Sequence, residues 1–177
     1  MKHTCFSGGA KGSDSVFEFE SLKKNFNVVS FSFEGHDTTS SNRYILTPKQ
    51  LKIGFEHIKI ANKRLNRNIN NLKPYIKNLI SRDWYQVKYS DAIFAVGYID
   101  HNNNVKGGTG YAIACAIDNL KPIFLFEQSF NYWYYYDYDI NRFEIYENKI
   151  PILTKKFAGI GTRDININGI NAIKNLF

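Results

Sequence analysis

Cysteine is scarce in this chain. The two present, Cys5 and Cys115, sit in apolar contexts and show no C-x-x-C spacing. That excludes a disulfide scaffold and a cysteine-based zinc site, and it leaves two buried, reduced thiols, as expected of a cytoplasmic protein. Long apolar runs are absent too: none approaches the ~18 to 20 residues that a membrane span needs, so no membrane partner is expected. The opening MKHTCFSGGA carries one lysine and no apolar stretch, so it does not read as a secretory leader. No internal repeat and no Pro/Gly/Ser-rich linker divides the 177 residues. The biased stretches, Asn102-Asn103-Asn104 and Tyr134-Tyr135-Tyr136, are too short to be disordered regions. A single domain over 1–177 is expected.

Hydrophobic residues make up 44% and aromatics 16%, enough for a packed core, which excludes global disorder. The net charge of +7 points to an anionic partner, nucleic acid or a phosphorylated small molecule. The chain is also rich in Asn, Ile, Lys, Tyr and Phe, the bias of an AT-rich genome, and that drift produces the same charge on a solvated surface. Apolar patterning alternates strands with helices. Strands are expected over 3–6, 28–33, 92–96, 122–126 and 157–160. Helices are expected over 14–25, 48–65, 74–87, 109–119 and 165–177. Residues 132–136 and 143–146 form a hairpin around 137–141, and 35–47 reads as a polar loop. In the first helix Val16, Phe17, Phe19, Leu22 and Phe26 form the apolar stripe. The fold class is α/β: a Rossmann-like three-layer sandwich with a mostly parallel central sheet, plus a small β-hairpin.

Three segments repeat one design, an apolar strand followed by a small-residue turn and a helix start. They are Ser7-Gly8-Gly9-Ala10-Lys11-Gly12-Ser13-Asp14, Gly107-Gly108-Thr109-Gly110-Tyr111-Ala112 and Ala158-Gly159-Ile160-Gly161-Thr162-Arg163. Turns without Cβ atoms let backbone N–H groups approach a ligand, and a helix N-terminus behind them favours phosphate. In a parallel sheet such turns share one edge and can converge on one crevice. Any one of them alone reads first as a plain tight turn. None fits the P-loop pattern G-x-x-x-x-G-K-[ST], and the G-x-G-x-x-G order is absent from the first turn.

Together these three motifs resemble the SLOG superfamily, a Rossmann-like group that includes the Lonely Guy enzymes and DNA-processing protein A. The likeness is closest to small stand-alone SLOG proteins of bacteria and phages, some of them linked to defence, and extends over Leu65-Asn66-Arg67, residues 79–84, 90–97 and the Trp133 hairpin. In many SLOG proteins the A-G-I-G-[ST]-R turn precedes the S-G-G-A-x-G-x-D turn. Here it follows, which implies a circular permutation with the two chain ends close in space. The resemblance implies a ligand site built from Ser7, Gly8, Gly9, Gly12, Asp14, Arg82, Gly107, Gly108, Thr109, Gly110, Gly161, Thr162 and Arg163. It implies a nucleotide-like small molecule as partner and a homo-oligomer, dimer or higher, with no cofactor and no metal.

The Lonely Guy motif P-G-G-x-G-T-x-x-E supplies a glutamate as acid/base for N-glycoside cleavage; laid on this chain, that position is Ala114. A methyl group transfers no proton. The catalytic residue is thus unknown, with Asp14, Asp83, Asp91 and Glu34 as substitute carboxylates, although Asp14 also reads as a helix cap and Asp91 as a strand boundary. Arg82 at a helix end reads as a phosphate contact or a surface arginine, Arg163 as a ligand contact, and Arg67 as a weaker candidate. His36 stands where ligand loops often lie, although a lone loop histidine is usually just solvated. Tyr111 and Trp84 could stack on a base or pack in the core, and the Tyr-rich hairpin suggests an edge or a subunit contact. Three readings follow, in order: a binder of a nucleotide or nucleotide-derived molecule, acting as sensor or sequestering protein; a nucleotide N-glycoside hydrolase; and a single-stranded DNA binder. The last lacks a clustered basic stripe with interleaved aromatics, so nucleic acid is disfavoured.

Overall fold

Ala92-Ile93-Phe94-Ala95-Val96-Gly97 is apolar at every position, without the alternation of a strand that faces water, and it forms β4 (Ala92–Gly97) with all six residues buried. A strand of this kind must be covered on both faces. The computed structural model, which describes residues 2–148 and 150–177, provides that cover. Phe94 and Val96 pack with Phe17, Phe157 and Ile173 on one face, while Ile93 and Ala95 pack with Ile58, Val87 and Ile113 on the other.

The elements run β1 (Thr4–Ser7), α1 (Ser13–Lys23), β2 (Asn27–Ser32), β3 (Arg43–Ile45), α2 (Pro48–Leu65), α3 (Pro74–Tyr89), β4, α4 (Thr109–Asp118), β5 (Ile123–Glu127), β6 (Tyr132–Asp137), β7 (Arg142–Ile145), β8 (Lys156–Gly161) and α5 (Ile167–Lys174). Helices α1 and α5 lie on one side of the sheet and α2, α3 and α4 on the other. This is a three-layer, Rossmann-like α/β architecture. The sheet has eight strands in the order β3-β2-β1-β8-β4-β5-β6-β7. Strands β3 to β5 in that order are parallel, and β6 and β7 add the antiparallel hairpin. Counted from β8, the strands β8, β1, β2, β4 and β5 stand in the Rossmann order 3-2-1-4-5. The switch point of that order lies between β8 and β4.

Local chemistry sets the element ends. Pro48 opens α2 behind a capping box, in which the Gln50 N–H donates to Thr47 Oγ1 at 3.2 Å and the Thr47 N–H donates to Gln50 Oε1 at 2.8 Å. The Asn166 side chain caps α5, so that helix begins two residues later than its apolar pattern suggests. Helix α3 runs on to Tyr89.

Three expectations are corrected. The loop over 35–47 contains β3, a three-residue edge strand paired to β2, whose exposed Arg43-Tyr44-Ile45 gives no periodic signal. The stripe assigned to α1 fails at Phe19 and Leu22, which are 59% and 47% exposed, while Glu18 and Glu20 on the same helix are buried. Phe26 lies beyond α1, which ends at Lys23, and its ring joins both ends of the described chain. The His3 ring stacks on it with centroids 4.6 Å apart, and the Phe177 ring lies 5.8 Å from it.

Candidate functional site

The carboxyl ends of β8 and β4 open onto the turn before α4, and the turn after β1 closes against β8. Gly12 makes that closure possible. Its φ is +93°, and a Cβ there would meet the Thr162 carbonyl oxygen and the Arg163 backbone. With the two turns in contact, the Ser13 N–H and hydroxyl both donate to the Thr162 carbonyl, at 3.0 and 2.9 Å. The Asp14 carboxylate then joins the two turns, accepting from the Gly161 N–H at 3.1 Å and the Ala10 N–H at 3.4 Å. Asp14 thus serves as a bridge between loops instead of capping its own helix, whose N-cap is Gly12.

A cleft of about 360 Å³ opens at this switch point, as expected for a doubly wound sheet. Its walls come from both glycine turns flanking the β8–β4 gap and from α3. Of the sequence candidates, Asp14, Arg82, Gly107, Gly108, Thr109, Gly161, Thr162 and Arg163 line it. Ser7, Gly8, Gly9, Gly12 and Gly110 do not; they build the turns from behind. The buried Ser7 hydroxyl accepts from the Gly9 N–H at 3.1 Å. Gly8 leaves the space that the Arg82 guanidinium fills, and Gly110 leaves room for the Val105 carbonyl and for Arg67.

Arg82 lies mid-way along α3, not at a helix end, and is only 6% exposed. Its Nε and Nη1 are buried and find no hydrogen-bond partner among the described residues. The nearest carboxylate oxygen, Asp14 Oδ2, is 3.9 Å from Nη1, beyond hydrogen-bond range. Beside it stands Asp83, whose Oδ1 accepts from Gln86 Nε2 at 3.2 Å. Burial pushes the Asp83 carboxyl up to about 7 against the pull of Arg82, with Asp14 adding to the rise. Burial also raises Asp14, to about 6, again against Arg82 and the two N–H donors and with help from Glu18. Both carboxyls therefore exchange protons near neutrality. Lys106 and Arg163, both exposed, stand at the rim.

Arg67 does not reach the cleft. Its Nη1 donates to the Gly107 carbonyl at 2.6 Å and its Nη2 to the Val105 carbonyl at 2.8 Å, with the guanidinium over the Tyr111 ring. It braces the turn before α4, a helix that no side chain caps. Trp84 is buried against the His57 ring at 3.7 Å and Tyr111 is buried beneath Arg67, so neither presents a ring to the cleft. His36 is buried, not solvated. Its Nδ1 pairs with Ser32 Oγ at 2.9 Å, and burial, then the charges of Arg82 and Arg43, lower it to about 4, leaving it neutral. Ala114 lies in the core of the α2–α4 layer. Asp91, at the opposite end of β4, accepts from the Lys156 N–H, and Glu34 borders a separate groove. Both thiols are buried and free.

The sequence reading passed over Lys106, Asp164 and the apolar wall of Ile76, Leu79 and Ile80. It carried Asp83 only as one of four carboxylates. A signal was there: Asp83 stands four residues from both Leu79 and Val87, on the inward stripe of α3. Three larger grooves, of about 940 Å³ outside the hairpin, about 650 Å³ between β3 and α2 and about 590 Å³ between the hairpin and α5, carry no buried charged side chain on their walls. The smaller cleft is therefore the candidate site, because perturbed carboxyls and an arginine without hydrogen-bond partners among the described residues converge there.

The chain matches no protein-family model, no curated protein and no solved structure. The site must be read from its own chemistry. Among the described residues, no group of three or more His, Cys, Asp or Glu is placed to hold a metal ion, and no helix is long and apolar enough to cross a membrane.

Proposed function

We propose that this protein binds a nucleotide or nucleotide-derived small molecule in the switch-point cleft, as a sensor or sequestering protein. One observation carries the reading: an arginine 94% buried at the cleft floor has two guanidinium nitrogens without acceptors among the described residues. A buried donor left unmade costs about 1 to 3 kcal/mol, and more when charged, which a bound oxyanion would recover. The phosphate seats against Arg82, Thr109 and the Gly107-Gly108 backbone, with Lys106 and Arg163 drawing it in from the rim. The apolar side of α3 gives the rest of the ligand a dry wall. The resemblance to SLOG proteins, their nucleotide ligands and their frequent pairing as homo-oligomers support the same reading, as does a strand order that becomes Rossmann-like when counted from β8.

Asp83 and Asp14 favour a second reading, hydrolysis of a nucleotide N-glycosidic bond. A carboxyl that titrates near neutrality beside a sugar can donate a proton to the leaving base. One experiment separates the two. A nucleotide panel is screened by thermal shift, and each stabilising compound is incubated with the protein and analysed for free base. A binder raises Tm and returns the nucleotide intact. A hydrolase releases base and loses that release in Asp83→Asn. Arg82→Gln is expected to abolish the thermal shift in either event; a shift that survives this substitution places the ligand elsewhere.

A further inference from the structure

We propose that the cleft floor is a proton-coupled anion site, in which an incoming anion pairs with Arg82 while the flanking Asp14 and Asp83 carboxyls take up protons. This deepens the reading above and rests on it. The geometry sets up the coupling. One guanidinium shares the cleft with two buried carboxylates, and neither holds it in a hydrogen bond: Asp14 is 3.9 Å away and already accepts from two backbone N–H groups, while Asp83 accepts from Gln86. With all three groups charged, the floor carries a net negative charge and repels the anion that Arg82 would otherwise attract. Protonation of one carboxyl cancels that charge, and protonation of both leaves the floor positive. Bound negative charge in turn makes ionisation of both carboxyls harder, so the two events favour each other by the same factor.

The surrounding groups leave the proton change with these two carboxyls. On α1, Glu18 adds negative charge that pushes Asp14 further towards its neutral form. The Cys5 thiol of β1 and the Cys115 thiol of α4 are kept protonated by burial. His36, after β2, is neutral for the reasons already given, and His57 of α2 is pushed towards its neutral form by burial and Lys88. Lys106, Arg163 and Asp164 stand at the mouth, away from the buried triad. The carboxyls change charge at about 6 and about 7. Anion affinity therefore falls as pH rises through that interval, by up to about tenfold per pH unit for each coupled proton.

Inorganic sulfate is the probe, because it stays a dianion throughout this range whereas phosphate itself titrates there. Calorimetric titration of the wild-type protein at about pH 6 and about pH 8, in buffers of different ionisation heat, reads affinity and proton uptake together. The expected result is binding at least about tenfold tighter at the lower pH, with net proton uptake at the higher. Asp83→Asn keeps the acceptor for Gln86 and removes one charge. It is expected to bind sulfate at about pH 8 nearly as tightly as the wild type does at about pH 6, with a flatter pH slope. Asp14→Asn is expected to do the same in part. Sulfate binding that Arg82→Gln abolishes, but that is equal at both pH values and moves no protons, overturns the coupling and keeps the anion site. Failure of the wild type and both carboxamide variants to bind sulfate at either pH overturns the anion site itself.

Discussion

Gly12 shows how much of the site depends on a side chain that is missing. Its φ of +93° disfavours any L-residue, and its Cα faces the Thr162 and Arg163 backbone across the junction of two turns. Alanine there meets both penalties, backbone strain of about 1 to 2 kcal/mol and a clash of about 1 to 3 kcal/mol. Gly12→Ala is expected to lower Tm by roughly 5 to 15 °C in calorimetry, given about 2 to 4 °C per kcal/mol for a domain of this size; an unchanged Tm would show that the turns part without cost. The glycines were conspicuous in the sequence, but their division of labour was not. Gly107 and Gly108 have open space where a Cβ would go, whereas Gly8, Gly12, Gly110 and Gly161 are pressed against neighbouring atoms. Composition cannot distinguish a glycine that admits a ligand from one that admits another loop. The burial of Arg82 and Asp83 was equally hidden, because charged residues are expected outside until the packing around them is known.

Among the elements, the turn leading into α4 has the most instructive construction. It receives no side-chain cap of its own, and Arg67, from beyond the end of α2, holds its carbonyls from behind. Arg67 is itself seated by Asn62, whose Nδ2 donates to the Arg67 carbonyl at 2.7 Å. Arg67→Met removes the brace while keeping most of the side chain's bulk. The expected outcome is a severalfold weaker nucleotide-induced thermal shift with only a small fall in the Tm of the free protein, about 1 kcal/mol in stability. Equal shifts in variant and wild type would mean that the turn holds its shape alone. Strand β4 was legible because its apolar run, closed off by Ser90-Asp91 and by Gly97, is too short for a helix. Strand β3 was illegible for the opposite reason: its three exposed residues owe their conformation to pairing with β2. Helix α1 misled because it buries Glu18 and Glu20 and exposes Phe19 and Leu22, against the usual amphipathic order.

For the molecule as a whole, alternation of strand and helix patterns announced the layered fold, and motifs from three distant stretches of sequence announced one shared edge of the sheet. The order of the motifs led to the expectation that the chain ends lie close together, but not to what holds them there: Phe26, whose ring meets His3 and, 151 positions further on, Phe177. That closure can be tested directly. A permutant opened at the exposed Ile152, with Phe177 joined to Lys2 through a short glycine linker, is expected to fold cooperatively with a Tm within about 5 °C of the original. A permutant that aggregates or melts without a transition would show that the ends matter for more than proximity. The same arrangement bears on how the protein is made. Strand β8 occupies the middle of the sheet, yet among the described strands it is the last to be made. Until it emerges, the nascent chain holds two half-sheets whose inner margins, β1 and β4, have no neighbour to zip against. The switch-point cleft therefore comes into being only once β8 has been made, and a chain cut short before that strand carries two sticky margins in place of the cleft.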